Sequence, residues 1–534
     1  MFLQDLDDDI LIQLFTLLPV EAILALRKTC RHFSQVSRLR FVWQKVCHAQ
    51  VISQGYPFQY RRLANADAAE LEQLVLHALR LSSFWSSPPV APSRSVDFQA
   101  SMGTGVSHVR MLPGRGGRYL LTVYKGIWSM ISCWDLGSVP SPSTPSAPTK
   151  VADWCPRNTI FSGFVVNSEP ESEATLAVAV QHGGGTQIIQ ILSIFSGGGE
   201  APSFQLVCNI KTGFRPVALQ GDLIAFSDDG SETMVMNWRK NTVALLKGSQ
   251  RPVDERFQYN RCLQILFAHR SILVVRARSV ELFPEPELRP ADGEYTTYSP
   301  IGFHTFGWID GVSIAPQSGT IVDANDVVQS SGHEPLSILL RAESDDPWAS
   351  DVHTLEQFVL HPNPAFGAPG NLPSAENTES VPPYLFPPVR AEQTSPTVRG
   401  FLRCRDIVLG PCGTALWIQP RAARTAHLTG YDVHSSTTQV WDALNPDHQH
   451  PDDLPLNPGD PSSALDRSRA AESLCATVFE GPLQRHHSDL RSTARTLWVQ
   501  TKDNCNWTTF DYDEETGRVV LGSSDGSVTV LDLA

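Results

Sequence analysis

A chain of 534 residues, 41% of them hydrophobic, holds enough apolar material for more than one core. Its 42 Lys and Arg against 56 Asp and Glu leave a formal charge of −14, which disfavours a nucleic-acid or anionic-membrane partner. The ten cysteines lie scattered from Cys30 to Cys505 without a CxxC pair, so the sequence indicates neither a zinc site nor a disulfide framework, and thiols in a reducing compartment are expected.

The first residues, MFLQDLDDD, place acids where a secretory signal carries Lys or Arg, and no later stretch approaches the ~20 apolar residues that span a bilayer. A soluble protein of the cytoplasm, the nucleus or both is expected. From Leu6 to Cys47 the pattern is helical. Ile10, Leu11, Leu14, Phe15 and Leu18 recur at the spacing of one buried face, behind Asp7, Asp8 and Asp9 at the first turn. Pro19 ends this helix and starts a second that stacks Ala22, Leu26, Cys30 and Phe33, and a third carries Leu39, Trp43 and Val46. About fifty residues make too small a core to stand alone. Either a partner completes the apolar surface, or the helices cap the rest of the chain.

The run LDDDILIQLFTLLPVEAILALRKTCRHFSQVSRLRFVW resembles an F-box. Leu6, Ile10, Leu14, Leu18, Pro19, Leu24, Leu26, Cys30, Arg31 and Trp43 occupy that family's places, while Asp7 stands where its first Pro is usual. The resemblance implies an F-box domain over residues 1–50. It further implies that Leu6, Ile10, Leu14, Leu18, Pro19, Leu24, Leu26, Cys30 and Trp43 dock a Skp-type adaptor, which holds a cullin, in the manner of helices laid into a groove.

A further helix is predicted over Asp67 to Trp85, with Asp67 and Glu70 spaced as a capping box and Leu71, Leu74, Val75, Ala78 and Leu79 on one stripe. It reads as a strut within a helical connector, 51–85, packed on the first module or on the large region C-terminal to it. SSPPVAPSRS reads as a linker, taken as 86–98.

From residue 99 to 534 strand-like runs alternate with turn clusters. LIAFSDDGSETMVMNW and VVLGSSDGSVTVLDL each have the form of a hairpin with a glycine-assisted turn. Recurrence of such units predicts a β-propeller, and the segments resemble WD-repeat blades, with Trp134, Asp135 and Asp532 near the family's strand-ending dipeptide. Blades are expected near 99–138, 151–196, 203–247, 257–287, 300–343, 352–435 and 473–534, with loop insertions at 138–149, 361–396 and 445–470. The expected fold class is α+β multidomain: a small N-terminal all-α F-box module followed by a large all-β propeller of about seven blades with long loop insertions.

No catalytic residue, metal ligand or cofactor site is assigned. HGGG at His182 and GSSDG around Ser524 imitate hydrolase motifs, but an acid and then a histidine should come after the nucleophile, and the last histidine is His487. The pairs His448 with His450 and His486 with His487 read as solvated loop residues, and Asp228–Asp229 and Asp345–Asp346 as turns. Asn506 matches a glycosylation sequon that needs a secretory route. The function expected is that of a non-catalytic substrate-recognition subunit of a Skp/cullin/F-box ubiquitin ligase, binding an unspecified target protein through the propeller. A propeller scaffold working without a cullin is the alternative, and a propeller enzyme is a third reading.

Overall fold

The computed structural model describes the chain from Leu6 to Ala534 except residues 88–90, 140–146, 183–186, 196–201, 229, 249–259, 292, 294, 319, 323–327, 331–332, 344–351, 367–380, 399–401, 421–471, 486–493 and 503–504. It opens with α1 (Asp8–Leu17), α2 (Val20–Arg27), α3 (Arg31–Val36) and α4 (Arg40–Cys47), which runs into a π-turn at His48–Ile52; α5 (Tyr60–Leu63) and α6 (Ala68–Ser86) come next. The expected second helix is two. Cys30 has extended backbone (φ −149°), and its thiol accepts the Phe33 N–H at 3.5 Å, so it caps α3 instead of continuing α2.

Leu11, Phe15, Ile23, Val36 and Trp43 bury themselves against Leu71, Leu74, Val75 and Ala78 of α6, so the chain itself closes the helical core. A bidentate Arg27–Glu72 pair (2.6 and 2.9 Å) clamps α2 to α6 beside this core, where the short α2 has little packing of its own. Asp67 caps α6 as its spacing predicts, accepting the Glu70 N–H at 2.8 Å. The Glu70 carboxylate pairs with Arg62 instead of closing the capping box.

Seven four-stranded antiparallel blades make up the rest of the chain, spanning 106–154, 159–211, 215–247 with short additions from 289–298, 262–305, 308–398, 407–499, and 507–532. The number of blades is the one expected; their limits differ. Thr149–Trp154 is the outermost strand of blade 1 and Gln205–Lys211 that of blade 2, whereas the sequence pattern suggested new blades beginning near those points. Val389–Val398, inside an expected insertion, is the outer strand of blade 5. Arg94–Gln99, expected in the linker, is the outer strand of blade 7 and pairs antiparallel with Ser527–Asp532, Val96 opposite Val530. A hairpin is a local signal and does not say which strand begins a blade; ring closure joins residues more than four hundred positions apart.

That closure is reinforced at one buried cation. Arg518 meets Asp532 through two contacts (2.6 and 3.1 Å) and donates to the Gly117 and Gly137 carbonyls of blade 1, both at 2.8 Å. Every polar atom it removes from water thus has a partner, which a buried ion pair requires. In blade 1 the Trp134 indole N–H donates to Thr122 Oγ1 (2.9 Å), and Asp135 pairs with Arg118 (2.6 Å), so both residues of the WD-like dipeptide tie neighbouring strands.

In an antiparallel four-stranded blade, the turns joining strands one to two and three to four share one end. The helices sit on that end. His77 Nε2 lies 2.9 Å from the Thr516 carbonyl in blade 7, Gln59 donates to the Val139 carbonyl in blade 1 (3.3 Å), and Gly55 abuts Pro482 in blade 6. Gly55 has φ +66°, and a Cβ there would meet the Pro482 carbonyl oxygen at 2.7 Å. Leu81, Phe84 and Trp85 at the end of α6 enter the core formed by Leu416, Leu474, Phe510 and Leu531 of blades 6 and 7. One helix therefore belongs to both cores.

Candidate functional site

Although α6 closes the inner face of the helical module, large apolar side chains on its outer face stay exposed. Ile10 is 51% exposed, Leu17 85%, Phe41 48% and Leu39 42%. Ile10, Leu14 and Leu17 fall at i, i+4 and i+7 of α1, so they line one ridge. Leu14 and Leu18 are half-buried, and Pro19 is exposed at the turn into α2. Gln50 fixes that turn, accepting the Val20 N–H (3.2 Å) and donating to the Leu18 carbonyl (2.7 Å).

The remaining residues assigned from sequence have different surroundings. Leu6, Leu24 and Leu26 are half-buried against the module core, and Cys30 is half-buried as the cap of α3. Trp43 is fully buried, with its indole N–H donating to the Ser37 carbonyl at 2.9 Å, so it supports the ridge from beneath. Leu17 and Phe41 were not among the residues singled out from sequence. The spacing from Ile10 through Leu14 would have reached Leu17; Phe41 carries no such signal, since its exposure depends on how α4 packs against α1 and α6.

This surface offers shape and apolar area and no reactive group. Elsewhere burial pushes the thiols of Cys47, Cys133, Cys262 and Cys475 up to about 12, so they stay protonated and poorly nucleophilic. Ser524 sits in the turn between the last two strands of blade 7, where its Oγ accepts the Asn506 N–H at 3.1 Å. Among the described residues no group of three or more His, Cys, Asp or Glu side chains is arranged to hold a metal ion. His448, His450, His486, His487, Asp229, Asp345 and Asp346 lie outside the described residues.

Residues 3–45 match the F-box domain family. No curated protein matches the sequence. Among solved structures, similarity extends to two humanized mutants of the Chaetomium thermophilum Polycomb Repressive Complex 2, one bound to the inhibitor GSK126 and the other to GSK343. Each is 12% identical over 84% of this chain and 98% of that one, with TM-scores of 0.42 and 0.43 respectively. The protein thus carries an F-box domain followed by a seven-bladed β-propeller. In general an F-box domain implies a substrate-adaptor role and binds Skp-type adaptors, a propeller suggests protein binding, and the combination is typically non-catalytic.

Proposed function

We propose that this chain is a target-selecting subunit of a Skp/cullin/F-box ubiquitin ligase, acting in the cytoplasm or nucleus. The observation that carries the reading is the Ile10–Leu14–Leu17 ridge, left open on a module whose own core is already closed. Burying one large apolar side chain is worth about 1.5–3 kcal/mol, so a Skp-type groove covering this ridge, Leu18 and Pro19 has enough area to bind. The adaptor would bring the cullin, and the propeller would hold a target protein. No residue of the chain need do chemistry: holding the target beside the ubiquitin-charged enzyme makes their encounter nearly intramolecular.

Co-expression of the full chain with a Skp-type adaptor tests this. A stable complex is expected, disrupted by Leu18→Asp with Pro19→Ala while the propeller stays folded. Failure of the intact chain to bind, or indifference to the double substitution, rejects the ligase reading in favour of a propeller scaffold that works without a cullin.

A further inference from the structure

The face of the propeller opposite the helices carries a second group of exposed apolar residues. Met102 (91% exposed) lies in the connection from the outer strand of blade 7 into blade 1, and Ile127 (92%) and Trp128 lie in the turn between the second and third strands of blade 1. Ile160, also exposed, begins the inner strand of blade 2. The backbone brings these segments together. A Cβ at Gly126 would lie 3.5 Å from Thr104 Oγ1, the Phe161 N–H donates to Ser129 Oγ at 3.0 Å, and the Ala100 and Ser101 N–H groups both donate to the Gly526 carbonyl. Other large exposed apolar residues, such as Leu206 and Val389, lie on outer strands of different blades.

The rim carries two cations, the Lys125 ammonium and the exposed Arg157 guanidinium, that make no ion pair among the described residues. Of the carboxylates nearby, Asp153 is paired with Lys150 (2.6 Å), while Asp525, hydrogen-bonded by Ser527 (2.6 Å), keeps its charge and is offset by the neighbouring Lys502. Burial lowers the Lys125 pKa, and burial, then Lys125 and Arg110, hold His108 down at about 4 against the opposing pull of Asp406. On a chain of net charge −14, this is a local spot that favours an anion.

We propose that the loops bearing Met102, Ile127, Trp128 and Ile160 form a protein-docking surface for an apolar target segment flanked by acidic residues. Trp128 and Ile127 supply the anchor, in the way exposed aromatic clusters dominate interfaces, and Lys125 with Arg157 selects the flanking charge. The inference rests on the target-selecting reading and assigns its target-facing site.

The probe is a library of displayed twelve-residue peptides selected on the full-length chain. Enriched peptides are then synthesised and titrated by fluorescence anisotropy. Enrichment of a large apolar residue beside Asp or Glu is expected, with binding weakened at least about tenfold by Ile127→Asp with Trp128→Ala and unaffected by Val389→Asp. Lys125→Glu should also weaken binding, and replacing the peptide's acids with Lys should restore it, a rescue that misfolding does not produce. Enriched peptides without that composition, or equal binding to the double variant, overturn the proposal. Adaptor binding by the same variants should be unchanged. Loss of adaptor binding by the intact chain would reject the ligase reading and leave the peptide result standing.

Discussion

Trp43 and Leu17 lie within one motif and have opposite roles. Trp43 is fully buried and hydrogen-bonded, so Trp43→Ala should cost about 3–5 kcal/mol through the cavity it leaves. Leu17 is 85% exposed, so Leu17→Asp should change stability by no more than about 0.5 kcal/mol. Urea unfolding of the two variants checks both; equal costs would mean that the ridge is part of the fold. Helical spacing includes Trp43 and, continued from Ile10 and Leu14, would reach Leu17, but it cannot separate the two, because one α1 face packs on α3 and α4 while Leu17 on the other stays exposed. A second residue-scale prediction concerns Glu515, at the joint between helices and propeller. Burial, then the neighbouring Asp513, pushes its carboxyl up to about 8, against the opposing pull of Arg61. The folded chain then keeps a proton that the unfolded chain releases above about 4.5, so the resulting stability is complete below that pH and lost as pH rises through about 8. Glu515→Gln should raise Tm at pH 9 and match the parent at pH 4. A difference that does not change with pH would contradict this.

At the scale of elements, α6 is the piece that makes two domains one body. Its first half packs with α1–α4 and its second half with blades 6 and 7. Gly517, at φ +65°, leaves room for Leu81, since a Cβ there would lie 2.6 Å from Leu81 Cδ1. Leu81→Ala should cost about 2–5 kcal/mol and lower the helical circular-dichroism transition and the propeller tryptophan-fluorescence transition together. Two separated transitions in the parent chain would show that the helix does not couple the domains. The cap at Asp67 and the apolar stripe were legible in the sequence because both are local. The Arg94–Gln99 strand was not: RSVDFQ is short, comes after a proline-rich run, and finds its partner only at the far end of the chain.

On the whole molecule, the helices and the Met102–Ile127–Trp128–Ile160 group occupy opposite ends of the blades. A bound adaptor and a bound target would therefore not compete for one surface. The helical module and the number of blades could be read from sequence, since helical spacing and hairpin turns repeat within a few residues. Which loops share a face could not, because Ser129 meets Phe161 only when blades 1 and 2 pack, and Ala100 and Ser101 meet Gly526 only once the ring closes. The WD-like Trp134–Asp135 pair was legible for the same local reason, whereas Arg518, which joins blade 7 to blade 1, resembles an ordinary charged residue until Gly117 and Gly137 are placed beside it. The ligase assignment is tested most directly by the affinity of a Skp-type adaptor for the full chain, measured beside Leu17→Asp and Val389→Asp. Tight binding that Leu17→Asp abolishes and Val389→Asp leaves unchanged is the predicted result; absence of binding by the intact chain, or equal affinity for all three, would contradict it.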